Sequence, residues 1–408
     1  MENLDLNFVR SCFYAFDKNN PLNSRSFFEN AGGSFPCRFV VDQLSEFYSK
    51  TKVQPYGEFN ESMEAGNAMD LSYKKIAGML GISQDNLHLG PSTSQNTYVL
   101  SNALRQAKVN RKTLVVSNQD HESNTGVWRN LSHEGFEVRE WRIREDGKLY
   151  IEDLKELLDE KVLLLAFPHV SNIIGEINPV KEICKLAKQT GVFTCVDGVS
   201  YAPHGIPRIG NFNPDIYLFS SYKTFGPHLG VMYVSDDLAQ VLESQCHYFN
   251  KGYANKRFTP AGPDHAQIAA LGGVVDYYTA FANHHFNEKD LTEKTIAKIN
   301  KLVTSQEHEL LTPLLEYLDQ KNSIRVIGST DISNRVPTVA IKTEKSNVEL
   351  AKRLNELNVL VGTGDFYAVR LLEALNLDAK EGVMRISFVH YTSKRDIESL
   401  IKALDSVI

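Results

Sequence analysis

Residues 162–198 read VLLLAFPHVSNIIGEINPVKEICKLAKQTGVFTCVDG. The opening run VLLLAF (162–167) has no polar alternation, which is the pattern of a strand covered on both faces. The run VFTCV (192–196) is short and β-branched, so it reads as a second strand. Between them, 179–190 carries apolar residues at helical spacing. Strand, helix, strand in this order is a βαβ unit, whose two strands lie parallel. Working outward, TLVVS (113–117), 136–141, 216–220 and 231–234 repeat the short apolar pattern, and 87–89 precedes them. These segments predict an α/β architecture with a mostly parallel seven-stranded sheet over about 86–235. Helices are expected at 44–50, 62–80 and 151–158, and the stretch 264–320 is helix-rich. Beyond 321 the pattern becomes α+β. Strands are expected near 324–327, 338–341, 359–361 and 384–388, with helices at 347–357 and 394–408. The expected division is an N-terminal arm (1–30), a large α/β domain (31–290) and a smaller α+β C-terminal domain (291–408).

Composition narrows the function. The 408 residues carry 44 Lys plus Arg against 50 Asp plus Glu, a net charge of −6. That balance gives no basic footprint for nucleic acid. No apolar run is long enough for a membrane span, and the first residues lack the pattern of a secretory signal. The five cysteines, Cys12, Cys37, Cys184, Cys195 and Cys246, form neither a disulfide framework nor a zinc-ligand spacing. Reduced thiols, a cytoplasmic location and no metal are the expectations.

Chemistry-bearing residues cluster after the expected strands, where open α/β sheets bind ligands. Thr93 and Ser94 lie in GPSTSQ (90–95) at a helix start, where hydroxyls and free amides can cradle a phosphate or simply cap the helix. Asp197 follows VFTCV; a carboxylate there needs a cationic or hydrogen-bonding partner, or serves as a turn cap. Lys223 sits in SSYKTFGP (220–227) between two apolar runs. Desolvation there would give a nucleophilic amine able to form a Schiff base, whereas alone it would read as a snorkelling lysine. His121 follows TLVVS and Asn172 follows VLLLAF. A phosphate cradle, an imidazole to stack on a flat ring, an acid for a ring nitrogen and an amine nucleophile are the parts of a pyridoxal 5′-phosphate site.

The order and wording of these segments resemble the class V aminotransferase family of fold-type I pyridoxal phosphate enzymes, in its cysteine desulfurase-like branch. FENAGG (28–33) resembles the family's Y-L-D/N-N-A. HVSNIIGEINP (169–179) is close to H-V-S-N-x-x-G-x-x-N-P. Asp197-Gly198 with Ala202-Pro203-His204 is similar to V-D-G-A-Q-x-x-P-H, and 220–227 to S-x-H-K-x-x-G-P. Met384-Arg385-Ile386-Ser387 with His390-Tyr391-Thr392 resembles V-R-x-S-x-x-x-Y-N-T. The resemblance implies that Lys223 bonds to the cofactor aldehyde, Asp197 pairs with the pyridinium nitrogen and His121 stacks on the ring. It places Asn172 and Ser200 near the phenolic oxygen, and Thr93, Ser94, Ser220 and Tyr222 around the phosphate. Arg385 is the implied clamp for a substrate carboxylate, with Asn30 and Gly32 beside the substrate. It implies a homodimer.

Several positions depart from the pattern. Tyr222 replaces the histidine before the lysine, Ser200 replaces a glutamine, and 258–262 (FTPAG) replaces F-E-x-G-T. At 362–368 (GTGDFYA), Tyr367 stands where desulfurases carry the persulfide-forming cysteine, and no cysteine follows Cys246. A phenol cannot do the work of a thiolate. The expectation is a pyridoxal phosphate enzyme acting on a small amino acid or amine, aminotransferase-like and not a persulfide-forming desulfurase. A C–S or C–Se β-lyase and a racemase share its first steps. A cofactor-binding protein without turnover is the reading from another class.

Overall fold

The structure, a computed structural model, describes residues 3–408. Twelve strands form two sheets. The larger contains β2 (Leu87–Gly90), β3 (Thr113–Ser117), β4 (Glu137–Trp141), β5 (Val162–Pro168), β6 (Phe193–Asp197), β7 (Ile216–Ser220) and β8 (Gly230–Val234), in the order β2-β8-β7-β6-β5-β3-β4. The pairs from β7 through β4 are all parallel, and β8 runs antiparallel to both β7 and β2. The α/β class and the mostly parallel seven-stranded sheet expected from the sequence are therefore present. Every residue of β5 is buried, as its uninterrupted apolar run requires. Two apolar clusters cover the two faces of this sheet, one including Val115, Leu165 and Val196, the other Leu114, Leu164 and Leu218. Alternate residues of each strand thus serve opposite faces.

The smaller sheet orders β1 (Ser26–Phe28), β11 (Val359–Gly364), β12 (Val383–Ser387), β10 (Thr338–Lys342) and β9 (Arg325–Ile327). It packs on the helices Glu293–Asp319, Asn347–Glu356 and Lys394–Val407 through a third cluster containing Leu311, Ile341, Leu354, Ile386 and Leu400. The stretch 26–28, within the expected N-terminal arm, pairs parallel with β11, Ser26 facing Val359. The helix expected at 44–50 begins earlier, spanning Arg38–Lys50. The helix-rich region resolves into His265–Phe286 and Glu293–Asp319. His265–Phe286 is apolar around most of its circumference because it packs between Arg38–Lys50 and Asn60–Leu80.

Topology gathers the site. Because β8 is antiparallel, its first residue, Gly230, lies opposite both Gly90 and Ser220. The loop after β2 and the loop after β7 therefore meet at one edge. The loops after β3, β5 and β6 leave the same end of the parallel strands.

Candidate active site

A cavity of about 450 Å³ opens at that end. Thr93, Ser94, His121, Asn172, Asp197, Ser200, Ser220, Tyr222 and Lys223 all line it. Nine of the expected site residues thus meet in one place, although they come from five separate loops. Arg385, Asn30 and Gly32 are not among the lining residues.

Lys223 closes a tight 3₁₀ turn, Ser221–Lys223, that directly follows β7. The turn is fixed by Thr224 N–H donating to Ser221 O (2.8 Å) and Ser221 N–H donating to Leu229 O (2.9 Å). The side chain is buried, and among the described residues Nζ has neither a hydrogen bond nor a salt bridge. Burial disfavours the ammonium, and the nearby Arg385 charge adds to this, so the pKa falls to about 8 despite the opposing fields of Asp197 and Glu29. A lysine in that state supplies a substantial neutral fraction near neutrality.

Asp197 ends β6 and is 4% exposed. Its Oδ1 accepts from Val199 N–H at 2.8 Å, while Oδ2 is buried without a partner. Burial raises its pKa, partly offset by the Val199 amide and the Lys223 charge. An orphaned buried carboxylate oxygen is costly unless a donor comes to it. A protonated ring nitrogen is such a donor, so this atom fits the ring end of pyridoxal 5′-phosphate.

His121 accepts from Ser123 N–H at 3.0 Å through Nδ1, which also lies 2.8 Å from Ser123 Oγ. Burial, then the charges of Lys223 and Arg385, lower its pKa to about 3. The ring is neutral at working pH, as stacking on a flat cofactor requires. At the other end of the cavity Thr93 Oγ1 and Ser220 Oγ lie 2.7 Å apart, at the start of the helix Thr93–Gln106. Hydroxyls and free amides at a helix N-terminus suit a phosphate. Tyr222 stacks on His228, whose ring also lines this end.

Arg385, on β12, is held behind the cavity. Its Nη1 donates to Asn172 O (3.0 Å), its Nη2 pairs with Glu29 Oε1 (2.7 Å), and its guanidinium lies 3.7 Å from the Phe366 ring centre. Asn30 is buried and structural: its amide donates to Ser387 O and its oxygen accepts from Tyr391 Oη. Gly32 lies against the Glu29 carboxylate.

The structure adds residues that the sequence reading did not single out. Asp120 lines the cavity with both oxygens engaged, by His121 N–H (2.7 Å) and Asn124 Nδ2 (2.8 Å). Burial, and then the neighbouring Asp197 charge, raise its pKa. Tyr98 and Glu122 also line the cavity. Tyr367 forms its outer wall, its ring 5.2 Å from that of His121. The turn bearing Tyr367 is tied down by Phe366 O, which accepts from Asn172 Nδ2 (2.9 Å), and Tyr367 O, which accepts from Glu122 N–H (2.7 Å).

Comparison with known proteins identifies the family. The sequence model described as aminotransferase class-V matches residues 26–400. The aminotransferase-like protein FGM3 of Gibberella zeae is 31% identical, with 98% of each chain covered. The cysteine desulfurase-like protein ustD of Aspergillus flavus is 29% identical over 93% of this chain and 87% of its own. Among solved structures, the apo cysteine desulfurase of Thermococcus onnurineus NA1 superposes with a TM-score of 0.85 at 21% identity, covering 100% of this chain and 99% of its own. That likeness shows the shared fold, the fold-type I architecture of pyridoxal phosphate enzymes. The chain belongs to the class-V aminotransferase family, and is a pyridoxal 5′-phosphate-dependent enzyme of the transferase or lyase type.

Proposed function

We propose that the protein acts on the amino group of a small amino acid or amine, in an aminotransferase-like reaction, and does not form a persulfide. The observation that carries this reading is the presence of a buried Lys223 amine, without hydrogen bond or salt bridge, and an orphaned Asp197 oxygen in a cavity with no cysteine among its lining residues. Cys195, the nearest in sequence to Asp197, is fully buried below the strand end, and burial drives its thiol pKa up. Tyr367 occupies the outer wall instead. The names of several relatives, cysteine desulfurases of Pectobacterium among them, describe a chemistry that needs a reactive thiolate.

The roles proposed for this chain's residues follow from their states. Lys223 holds the cofactor and, when released from it, takes and returns the proton at the substrate α-carbon. Asp197 grips the ring nitrogen through Oδ2. His121 covers the ring as a neutral imidazole and keeps water from it. Thr93, Ser94, Ser220 and Tyr222 donate to the phosphate. When bound, the cofactor supplies the electron sink that stabilises charge left at the α-carbon. Arg385, behind the cavity, would receive the substrate carboxylate in exchange for its Glu29 partner.

Incubating the holoenzyme with L-cysteine and assaying persulfide transfer tests the central claim: none is expected, and robust transfer would refute it. A panel of amino acids, read by the cofactor spectrum and by keto-acid formation, is expected to find a donor that yields the keto acid. We further propose a homodimer, supported by the exposed aromatics Tyr48, Tyr56 and Phe59, and a cytoplasmic location, supported by five free cysteines.

A further inference from the structure

Glu29 has been given no role so far, yet the structure builds a slot for it. It follows β1 and lies partly open, its side chain 26% exposed, beside an Arg385 side chain that is only 3% exposed. Two glycines clear the space. A Cβ at Gly32 would come 2.6 Å from Oε1, and one at Gly362 would come 2.1 Å from Oε2. A side chain at either position would push the Glu29 carboxylate aside.

The consequence falls on Arg385. Of its five donors, Nη1 serves the Asn172 carbonyl, Nη2 serves Glu29, and one face is covered by Phe366. The buried Nε has no partner. Glu29 Oε2 is likewise unpartnered. The guanidinium is therefore engaged through Nη1 and Nη2, its charge already partly neutralised, and its Nε is closed off from solvent. It also acts on the reacting amine: the charges that bear on Lys223 are Arg385, Asp197 and Glu29, with Arg385 and Glu29 pulling in opposite directions.

We propose that Glu29 is a positioning residue for substrate recognition, a fixed internal anion that aims Arg385 and holds its charge half-neutralised. A substrate carboxylate then competes with the partly open Glu29 for Nη2 and is held at moderate strength. An unneutralised arginine would retain any carboxylate, product included. The inference rests on the reading of Arg385 as the carboxylate clamp.

Calorimetric titration of the holoenzyme with propionate, which has no amino group and cannot turn over, tests it. Propionamide is the neutral control. Glu29→Gln keeps an acceptor for Nη2 but removes the charge. It is expected to tighten propionate about fivefold, the lower end of ordinary coupling between sites, and to leave propionamide unmoved. A residue that merely supports the fold would shift both ligands alike. Should Glu29→Gln fail to fold, Gly362→Ala displaces the carboxylate from its slot and is expected to move propionate in the same direction. Propionate affinity unchanged or weakened in these variants overturns the inference, provided Arg385→Gln weakens it. Unchanged affinity in Arg385→Gln removes the clamp reading itself, and this inference with it.

Discussion

Lys223 and Asp197, to which we assign the chemistry, are both denied water by the fold. For the lysine the effect on stability can be worked out. Its folded pKa of about 8 lies below its ordinary value of 10.5, so the unfolded chain binds the extra proton between those limits. The destabilisation is full below about pH 8 and fades as the pH rises towards 10.5. In the cofactor-free protein, Lys223→Met is expected to be more stable than wild type at pH 7 by about 1–3 kcal/mol, with the gap closing over that window. Chemical denaturation at a series of pH values checks this; a gap independent of pH would show that the amine is solvated. Asp197→Asn keeps the shape and loses the charge. Turnover is expected to drop about 10²-fold or more while the cofactor stays bound, read from kcat and the retained absorbance. Both residues were legible in the sequence because each directly follows an apolar strand. Glu29 and Asp120 were not, since their meaning depends on partners: Glu29 meets a residue in the last strand of the chain, and Asp120 meets Asp197 from a different βα unit.

The turn after β11 stores backbone strain at two adjacent positions. Phe366 and Tyr367 are consecutive residues with φ of 49° and 57°, a left-handed conformation that bulky side chains rarely take. Hydrogen bonds from Asn172 and Glu122 hold it there. Tyr367→Gly is expected to leave stability unchanged or raise it by up to about 1 kcal/mol, while removing the cavity wall and raising KM. A large fall in the denaturation midpoint would mean that the Tyr367 ring supports the fold and not the site. No sequence signal marked this strain, because neither residue is glycine or asparagine. The strands were the opposite case. VLLLAF allowed one reading, and in the structure Leu165 is fully buried at the centre of β5. Leu165→Ala is expected to cost about 2–5 kcal/mol by denaturant titration, since the site loops hang from that strand. The long helix His265–Phe286 gave a weaker signal, because a helix buried on most sides loses the periodicity that betrays an amphipathic one.

At the scale of the molecule, the exposed rings of Tyr48, Tyr56 and Phe59 lie at the end of the helix Arg38–Lys50 and in the connection that follows it. Sedimentation is expected to give about twice the 45.9 kDa chain mass, and a monomer at micromolar concentration would dismiss the dimer. The resemblance could imply that assembly, but no single chain's sequence could locate it. The smaller sheet also carries a history. Its edge strand β1 is made early, and its strand partner, β11, is made near the end, with Ser26 set against Val359. During synthesis the ribosome releases β1 long before anything exists for it to zip onto. The large sheet, whose strands follow one another closely, can assemble meanwhile. Pairings this distant in sequence are slow to find each other. Closure of the second sheet, which seats Glu29 beside Arg385, is thus expected to come after the large sheet has formed.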